Sequence, residues 1–214
     1  MSRLLLSLLL SASLITPIAS NAFGLKDMKE LGSKTSTAGS TDMSGAQTQL
    51  VQQYVAAGKS VLDGNSKMAE AVGLKKEAAA AKIAGDSLSE GSTKSAISDA
   101  DKTSSDTSVA VSAALKNTAS LDAPSKAKFA DGILSLAQGL AKYVGMTSAV
   151  GSFTSGLTSV SPTMLPTLQS GAYIASSAPS SIKSLSSALS NAVSYAKSHD
   201  IAVPKDATDV LAKL

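Results

Sequence analysis

Residues 129–145, FADGILSLAQGLAKYVG, carry the most regular pattern in the chain. The large apolar residues are separated alternately by four and three positions, and they are Phe129, Ile133, Leu136, Leu140 and Tyr143. This spacing places one apolar residue per turn on the same side of an α-helix, as in helices with coiled-coil-like packing. The small residues between them allow a neighbouring helix to come close. The stretch therefore predicts a core helix of a helical bundle.

The same spacing continues on both sides of a bend at residues 161–166, SPTMLP. Before the bend, after a phase slip beside Gly145, it resumes at Met146, Val150, Phe153, Leu157 and Val160. After the bend it returns at Leu165, Leu168, Ala172, Ala175, Ala178, Ile182, Leu185, Leu189, Ala192 and Ala196. Because this stripe keeps its phase across Pro179, we expect one kinked helix or two nearly collinear helices. The pattern predicts a helical hairpin over residues 129–199.

Further helices are predicted by apolar spacing at residues 47–72, 74–91 and 97–116, and in a short terminal segment, 203–214. Asp122 and Pro124 are typical of a helix start, and we expect the core helix to begin there. Aromatic residues make up only 3% of the chain and Trp is absent, which disfavours a β-sandwich. We predict an all-α fold, an antiparallel helical bundle of four to five helices.

An uncharged stretch from Tyr143 to Ile182 raises the question of membrane insertion. Each of its strongly apolar residues contributes at most about 0.6 kcal/mol to insertion. Seven Ser and Thr residues and three glycines lie among the residues of 143–160. We therefore expect the hairpin to be buried in the bundle, with membrane contact as the alternative.

The first 22 residues, MSRLLLSLLLSASLITPIASNA, are typical of a secretory signal peptide. Small residues at Ser20 and Ala22 predict cleavage after Ala22. An N-terminal membrane anchor is the alternative, but the apolar run is shorter than the ~20 residues that span a bilayer. We predict a signal peptide at 1–22, a flexible leader at 23–45 and one helical-bundle domain at 46–214. The expected location is periplasmic or secreted.

The charge and cysteine content exclude several classes of function. The formal net charge is +3, and Arg3 is the only arginine, so residues 23–214 are basic through lysine alone. Nucleic-acid readers favour the arginine guanidinium, and nucleic-acid binding is therefore not expected. Cysteine is absent, which excludes disulfides and thiolate metal sites.

Two short patterns resemble catalytic motifs. Residues 85–88, GDSL, match a signature of serine esterases, but they lie in an Ala/Lys-rich helix, and His199 has Ala196 where the partner Asp belongs. Ser180 and Lys183 match Ser-x-x-Lys without any companion motif. We expect no catalytic residues and no enzyme activity.

One pattern resembles a calcium loop. Asp99, Asp101, Thr103 and Asp106 have suitable spacing, but Ser104 and Ala110 replace the glycine and the glutamate that such a loop needs. We interpret it as a solvated helix face, and His199 as a helix-end residue. No metal and no cofactor are expected.

The leading hypothesis is therefore an exported, non-enzymatic helical bundle that acts by binding an unidentified protein or a small apolar ligand. The alternative is a membrane-active or lipid-binding protein that uses the helical hairpin at 129–199, with its uncharged stretch at 143–182.

Overall fold

The structure is a computed structural model that describes residues 42–214, and these residues form α-helices joined by short turns. The helices are α1 (Met43–Ala71), α2 (Lys75–Ser87), α3 (Lys94–Leu115), α4 (Ala123–Gly145), α5 (Thr147–Leu157), α6 (Gln169–Ser198) and α7 (Lys205–Leu211), with a 3-10 helix at Leu165–Leu168. The described range contains no strand, so the all-α prediction is confirmed. The predicted signal peptide and the leader up to residue 41 lie outside the described residues.

The predicted number of helices, four to five, is wrong. Residues 42–214 contain six helices of at least 11 residues, and α7 adds a short one of 7 residues. One reason is that the helix expected to run on past Gly145 is divided at Met146, where the apolar spacing slips. Helix α1 begins at Met43, which is buried against Gly156 of α5.

Helices α1 and α4 run in opposite directions and approach very closely. The pairs that show their direction are Tyr54 with Tyr143, Lys67 with Ser135, and Glu70 with Lys128. A Cβ atom placed on Gly64 would lie 2.6 Å from the backbone nitrogen of Leu136 and 2.8 Å from the carbonyl oxygen of Gly132. The two backbones are therefore in direct contact, with no room for a methyl group between them.

The apolar stripe that the sequence predicted on α4 is buried in the core, with Phe129 packed against Tyr195 of α6. Its members Phe129, Ile133, Leu136 and Leu140 have no exposed surface, and Tyr143 is 2% exposed. The predicted cap of this helix is confirmed as well, since Asp122 Oδ1 accepts a 2.8 Å hydrogen bond from the Ser125 backbone N–H.

Helices α1, α3 and α6 run in the same direction, while α2 and α4 run against them. The hydrogen bonds that show the shared direction join Tyr54 to Asp101, Asn65 to Ser104, Gln47 to Gly171 and Tyr54 to Ser177. Successive helices from α1 to α4 are therefore antiparallel, whereas α5 continues in the direction of α4, because Gly156 of α5 lies against Met43 at the start of α1. The beginnings of α1, α3 and α6 lie together, and we call this side of the molecule the amino end of the bundle.

Helix α6 is continuous through Pro179, so the structure has one helix here rather than two nearly collinear ones. Its first turns are rotated relative to the predicted stripe, because Gly171 and Ile174 are buried while Ala172 is exposed. The ring of Phe153 packs directly on Gly171, where a Cβ atom would clash. Leu165 is 48% exposed and does not belong to the core.

Candidate binding groove

A groove of about 760 Å³ lies at the amino end of the bundle. Its lining comes from the first turns of α1, α3 and α6, from the loop between α2 and α3, and from the 3-10 helix. Most of these side chains carry a hydroxyl or an amide, and Val51 and Pro166 are the apolar exceptions. We call this site the polar groove.

Gln47 fixes one wall of the polar groove. Its Nε2 donates to the carbonyl oxygen of Thr167 at 2.9 Å, and its Oε1 accepts from the backbone N–H of Gly171 at 2.9 Å. This single side chain therefore ties the start of α6 to α1. The residues it joins are 120 and 124 positions away along the chain.

The opposite wall is the loop that leads into α3. The Oγ of Ser92, a buried residue, accepts from the backbone N–H of Ser89 at 2.9 Å. Thr93 caps α3 by accepting from the backbone N–H of Ala96 at 3.3 Å. Glu90 accepts from Nε2 of Gln52 at 3.0 Å, which ties the loop to α1.

The charges around the polar groove nearly balance. Lys94 contributes an ammonium and Glu90 a carboxylate to the lining. The beginnings of α1, α3 and α6 add partial positive charge, because each helix dipole has its positive end there. The surface therefore suits a ligand that forms many hydrogen bonds and is neutral or carries a negatively charged group.

Two tyrosines and an aspartate lie one helical turn below the polar groove. Residues 51, 98 and 170 line the groove, and three positions further along their helices stand Tyr54, Asp101 and Tyr173. The hydroxyls of Tyr54 and Tyr173 donate to the same oxygen, Asp101 Oδ2, at 2.7 and 2.9 Å. We call these three residues the tyrosine–aspartate cluster.

Burial controls the protonation of this cluster. It raises the pKa of Asp101, and the two tyrosine hydrogen bonds oppose that rise only in part. Burial, followed by the Asp101 charge, raises the pKa of Tyr54, and burial raises that of Tyr173. Both phenols therefore act as donors at neutral pH.

Tyr143 of α4 closes the cluster from below. Its ring meets that of Tyr54 edge to face, with 4.9 Å between the ring centroids. Tyr143, Tyr54 and Asp101 line a cavity of about 10 Å³, which has room for at most one water molecule.

The structure does not bring the esterase-like residues together with a histidine. Ser87 ends α2, and its Oγ donates to the carbonyl oxygen of Ala84 at 2.8 Å. Asp86 forms an ion pair with Lys82 at 2.9 Å. His199 stacks on Tyr195 at the end of α6, with its Nδ1 2.9 Å from the carbonyl oxygen of that tyrosine.

The calcium-like and Ser-x-x-Lys patterns form no site either. Asp101 faces the bundle, whereas Asp106 is paired with Lys102 at 2.6 Å on the outside of α3. Within residues 42–214, no group of three His, Cys, Asp or Glu residues is placed to hold a metal ion. Ser180 is exposed and donates to the carbonyl oxygen of Ser177 at 2.8 Å, and Lys183 is exposed.

Sequence reasoning missed the inward position of Asp101. The prediction of a solvated helix face is wrong for this residue, because it lies four residues after Ile97, on the side of α3 that faces the core. Asn65 was missed in the same way: it has no exposed surface and donates from Nδ2 to the carbonyl oxygen of Ser104 at 3.0 Å. A polar residue in phase with an apolar stripe was the available signal.

In the part of the chain that the structure describes, no helix has both the length and the apolar character that crossing a membrane requires. No protein-family model, curated protein or solved structure matches this chain.

Proposed function

We propose that this chain is an exported, non-enzymatic binding protein and that the polar groove is its ligand site. The observation that carries the proposal is the convergence of polar side chains from several distant chain segments at one concave surface. By contrast, most residues of the apolar stripes are buried in the core and are not accessible to a ligand. The export part of the proposal rests on residues 1–22 of the sequence alone.

The groove indicates the chemistry of the ligand. Its volume of about 760 Å³ falls within the usual range of small-molecule sites. Hydroxyl and amide side chains form hydrogen bonds with a ligand that has several polar groups, such as a polar metabolite or a short peptide. A small apolar ligand, the class expected from the sequence, would leave these groups without partners.

The surroundings of the groove support binding rather than catalysis. Its hydroxyls would need a base to become nucleophiles. The carboxylate in the lining, Glu90, accepts a hydrogen bond from Gln52 rather than from a hydroxyl of the groove. His199, the only histidine in the sequence, follows the last turn of α6, whereas the groove lies at the first turn. At 1.5 Å per residue, these two ends are separated by about 40 Å.

Filling the groove is expected to remove a retained ligand. In the variant Ser95→Tyr, an exposed residue of the groove lining gains a bulky ring. Ser105→Tyr is the matched control, since Ser105 is exposed on the same helix outside the lining. Native mass spectrometry of the three proteins, purified from the original host, should show a small polar adduct on the wild type and on Ser105→Tyr, with at least about tenfold less on Ser95→Tyr. An adduct of equal intensity on all three, or none on the wild type, would contradict the proposal.

A second candidate function is contact with a lipid surface through the bend at 161–166. Met164 and Leu165 are 42% and 48% exposed there, and Pro162 and Pro166 flank them. The bend lies inside the uncharged stretch, so no charged side chain of this stretch would have to be dehydrated at a bilayer. The remaining large apolar residues of the hairpin are mostly buried, which limits this candidate to the bend.

A further inference from the structure

The tyrosine–aspartate cluster connects the three helices whose beginnings line the polar groove. Asp101 belongs to α3, Tyr54 to α1 and Tyr173 to α6. The hydroxyl of Tyr54 also lies 3.3 Å from Ser177 Oγ of α6. Each residue of the cluster stands one turn below a residue of the groove lining, so a change in the cluster reaches the groove through a single helical turn.

The groups that face Asp101 leave its carboxylate without a basic partner. They are Tyr54 from α1, Tyr143 from α4, Tyr173 and Ser177 from α6, and Leu88 at the end of α2. None of these groups carries a charge at neutral pH. Among the ion pairs of residues 42–214, none includes Asp101.

The two protonation states of Asp101 differ in what they bind. An ionised carboxylate accepts both tyrosine hydroxyls, and such charge-assisted bonds are roughly twice as strong as neutral ones. A protonated carboxyl accepts them less strongly and acquires an O–H donor that needs a new acceptor. The contacts that hold α1, α3 and α6 together below the groove therefore depend on this one proton.

We propose that the polar groove is proton-linked: ionised Asp101 clamps Tyr54 and Tyr173 beneath it, and protonation loosens the clamp and changes the shape of the groove floor. This inference rests on the proposed function of the groove and assigns its regulation.

The direction of the pKa shift of Asp101 locates the transition. Because burial raises the pKa in the folded state, Asp101 takes up its proton above the ordinary value of about 3.9 for an aspartate. The neutral form favours the fold, and this contribution is fully present below about pH 3.9 and is lost as the pH rises through the folded pKa. Protonation weakens the two tyrosine bonds but also removes the larger cost of burying the carboxylate, so Asp101 does not lower global stability on acidification.

Nuclear magnetic resonance of the full chain tests the proton link without any ligand. The backbone amide signals of Val51, Ser98 and Ser170 are followed from pH 7 to pH 3 in the wild type, in Asp101→Asn and in Asp106→Asn. Asn keeps an oxygen that accepts both hydroxyls, and Asp106 is an exposed acid on the same helix. In the wild type and in Asp106→Asn we expect these signals to shift with one midpoint above about 3.9, and in Asp101→Asn that transition should be absent.

A second measurement, on the wild type alone, tests the proposal even if Asp101→Asn does not fold. The carboxyl carbon signal of Asp101 in the wild type should titrate with the same midpoint as the groove amides. Groove amides that do not move, that move equally in Asp101→Asn, or that follow a different midpoint from Asp101 would overturn the proton link. Because no ligand is added, such a result is distinct from a failure of the native mass spectrometry test.

Discussion

Replacing Gly64 with Ala should destabilise the bundle by about 2–3 kcal/mol, although Ala is the better helix former. The new methyl carbon would lie 2.6 Å from the backbone nitrogen of Leu136 and 2.8 Å from the carbonyl oxygen of Gly132. Backbone atoms cannot move aside as a flexible side chain does, so α1 and α4 must separate. That separation also loosens the packing of the large apolar residues beside the seam.

Gly151→Ala is the matched control for this prediction. Gly151 also lies in a helix, α5, but a Cβ atom there would meet nothing within 4 Å. Its replacement should stabilise the protein by about 0.5–1 kcal/mol, because Ala loses less conformational entropy on folding than Gly. Urea unfolding followed by circular dichroism measures both variants. A gain in stability for Gly64→Ala would show that the two backbones do not touch.

Truncation of the core leucines should have an effect of similar or larger size. Leu136 of α4 and Leu189 of α6 have no exposed surface and belong to the same apolar core. Leu136→Ala and Leu189→Ala should each cost about 2–5 kcal/mol, since each leaves a cavity in a packed interior.

Ser87→Ala provides the comparison for the leucine variants. Ser87 is exposed, and its hydroxyl bonds only a carbonyl of its own helix, so the change should be nearly neutral. Urea unfolding of the three variants measures their free energies of unfolding and tests this prediction. Equal, small losses in all three would mean that the two apolar stripes do not share a core.

The apolar periodicity was enough to predict most of the helices. Spacing along one helix is a local property, so the stripe from Phe129 to Tyr143 indicates its buried face without knowledge of its neighbours. The phase slip beside Gly145 marks the place where α4 ends. Val150, expected in the core, is only half-buried, and Phe153 is the better anchor of α5.

The polar groove and the tyrosine–aspartate cluster could not be predicted in this way. Gln47 meets Gly171, 124 residues later, and Tyr54 meets Asp101, 47 residues later. Such pairs follow from the order and direction in which the helices pack, and no local spacing records them. The contact between Gly64 and the α4 backbone depends in the same way on which two helices are neighbours.

The central claim is that the helical hairpin at 129–199, with its uncharged stretch at 143–182, packs into the bundle core and does not bind a membrane. Flotation of the full chain with liposomes of neutral and anionic lipids at pH 7 tests this most directly, with Leu165→Lys as the companion variant. We expect both proteins to remain in the fraction without vesicles. Recovery of most of the wild type with the vesicles would contradict the account, and loss of that recovery in Leu165→Lys would identify the bend as the site of lipid contact.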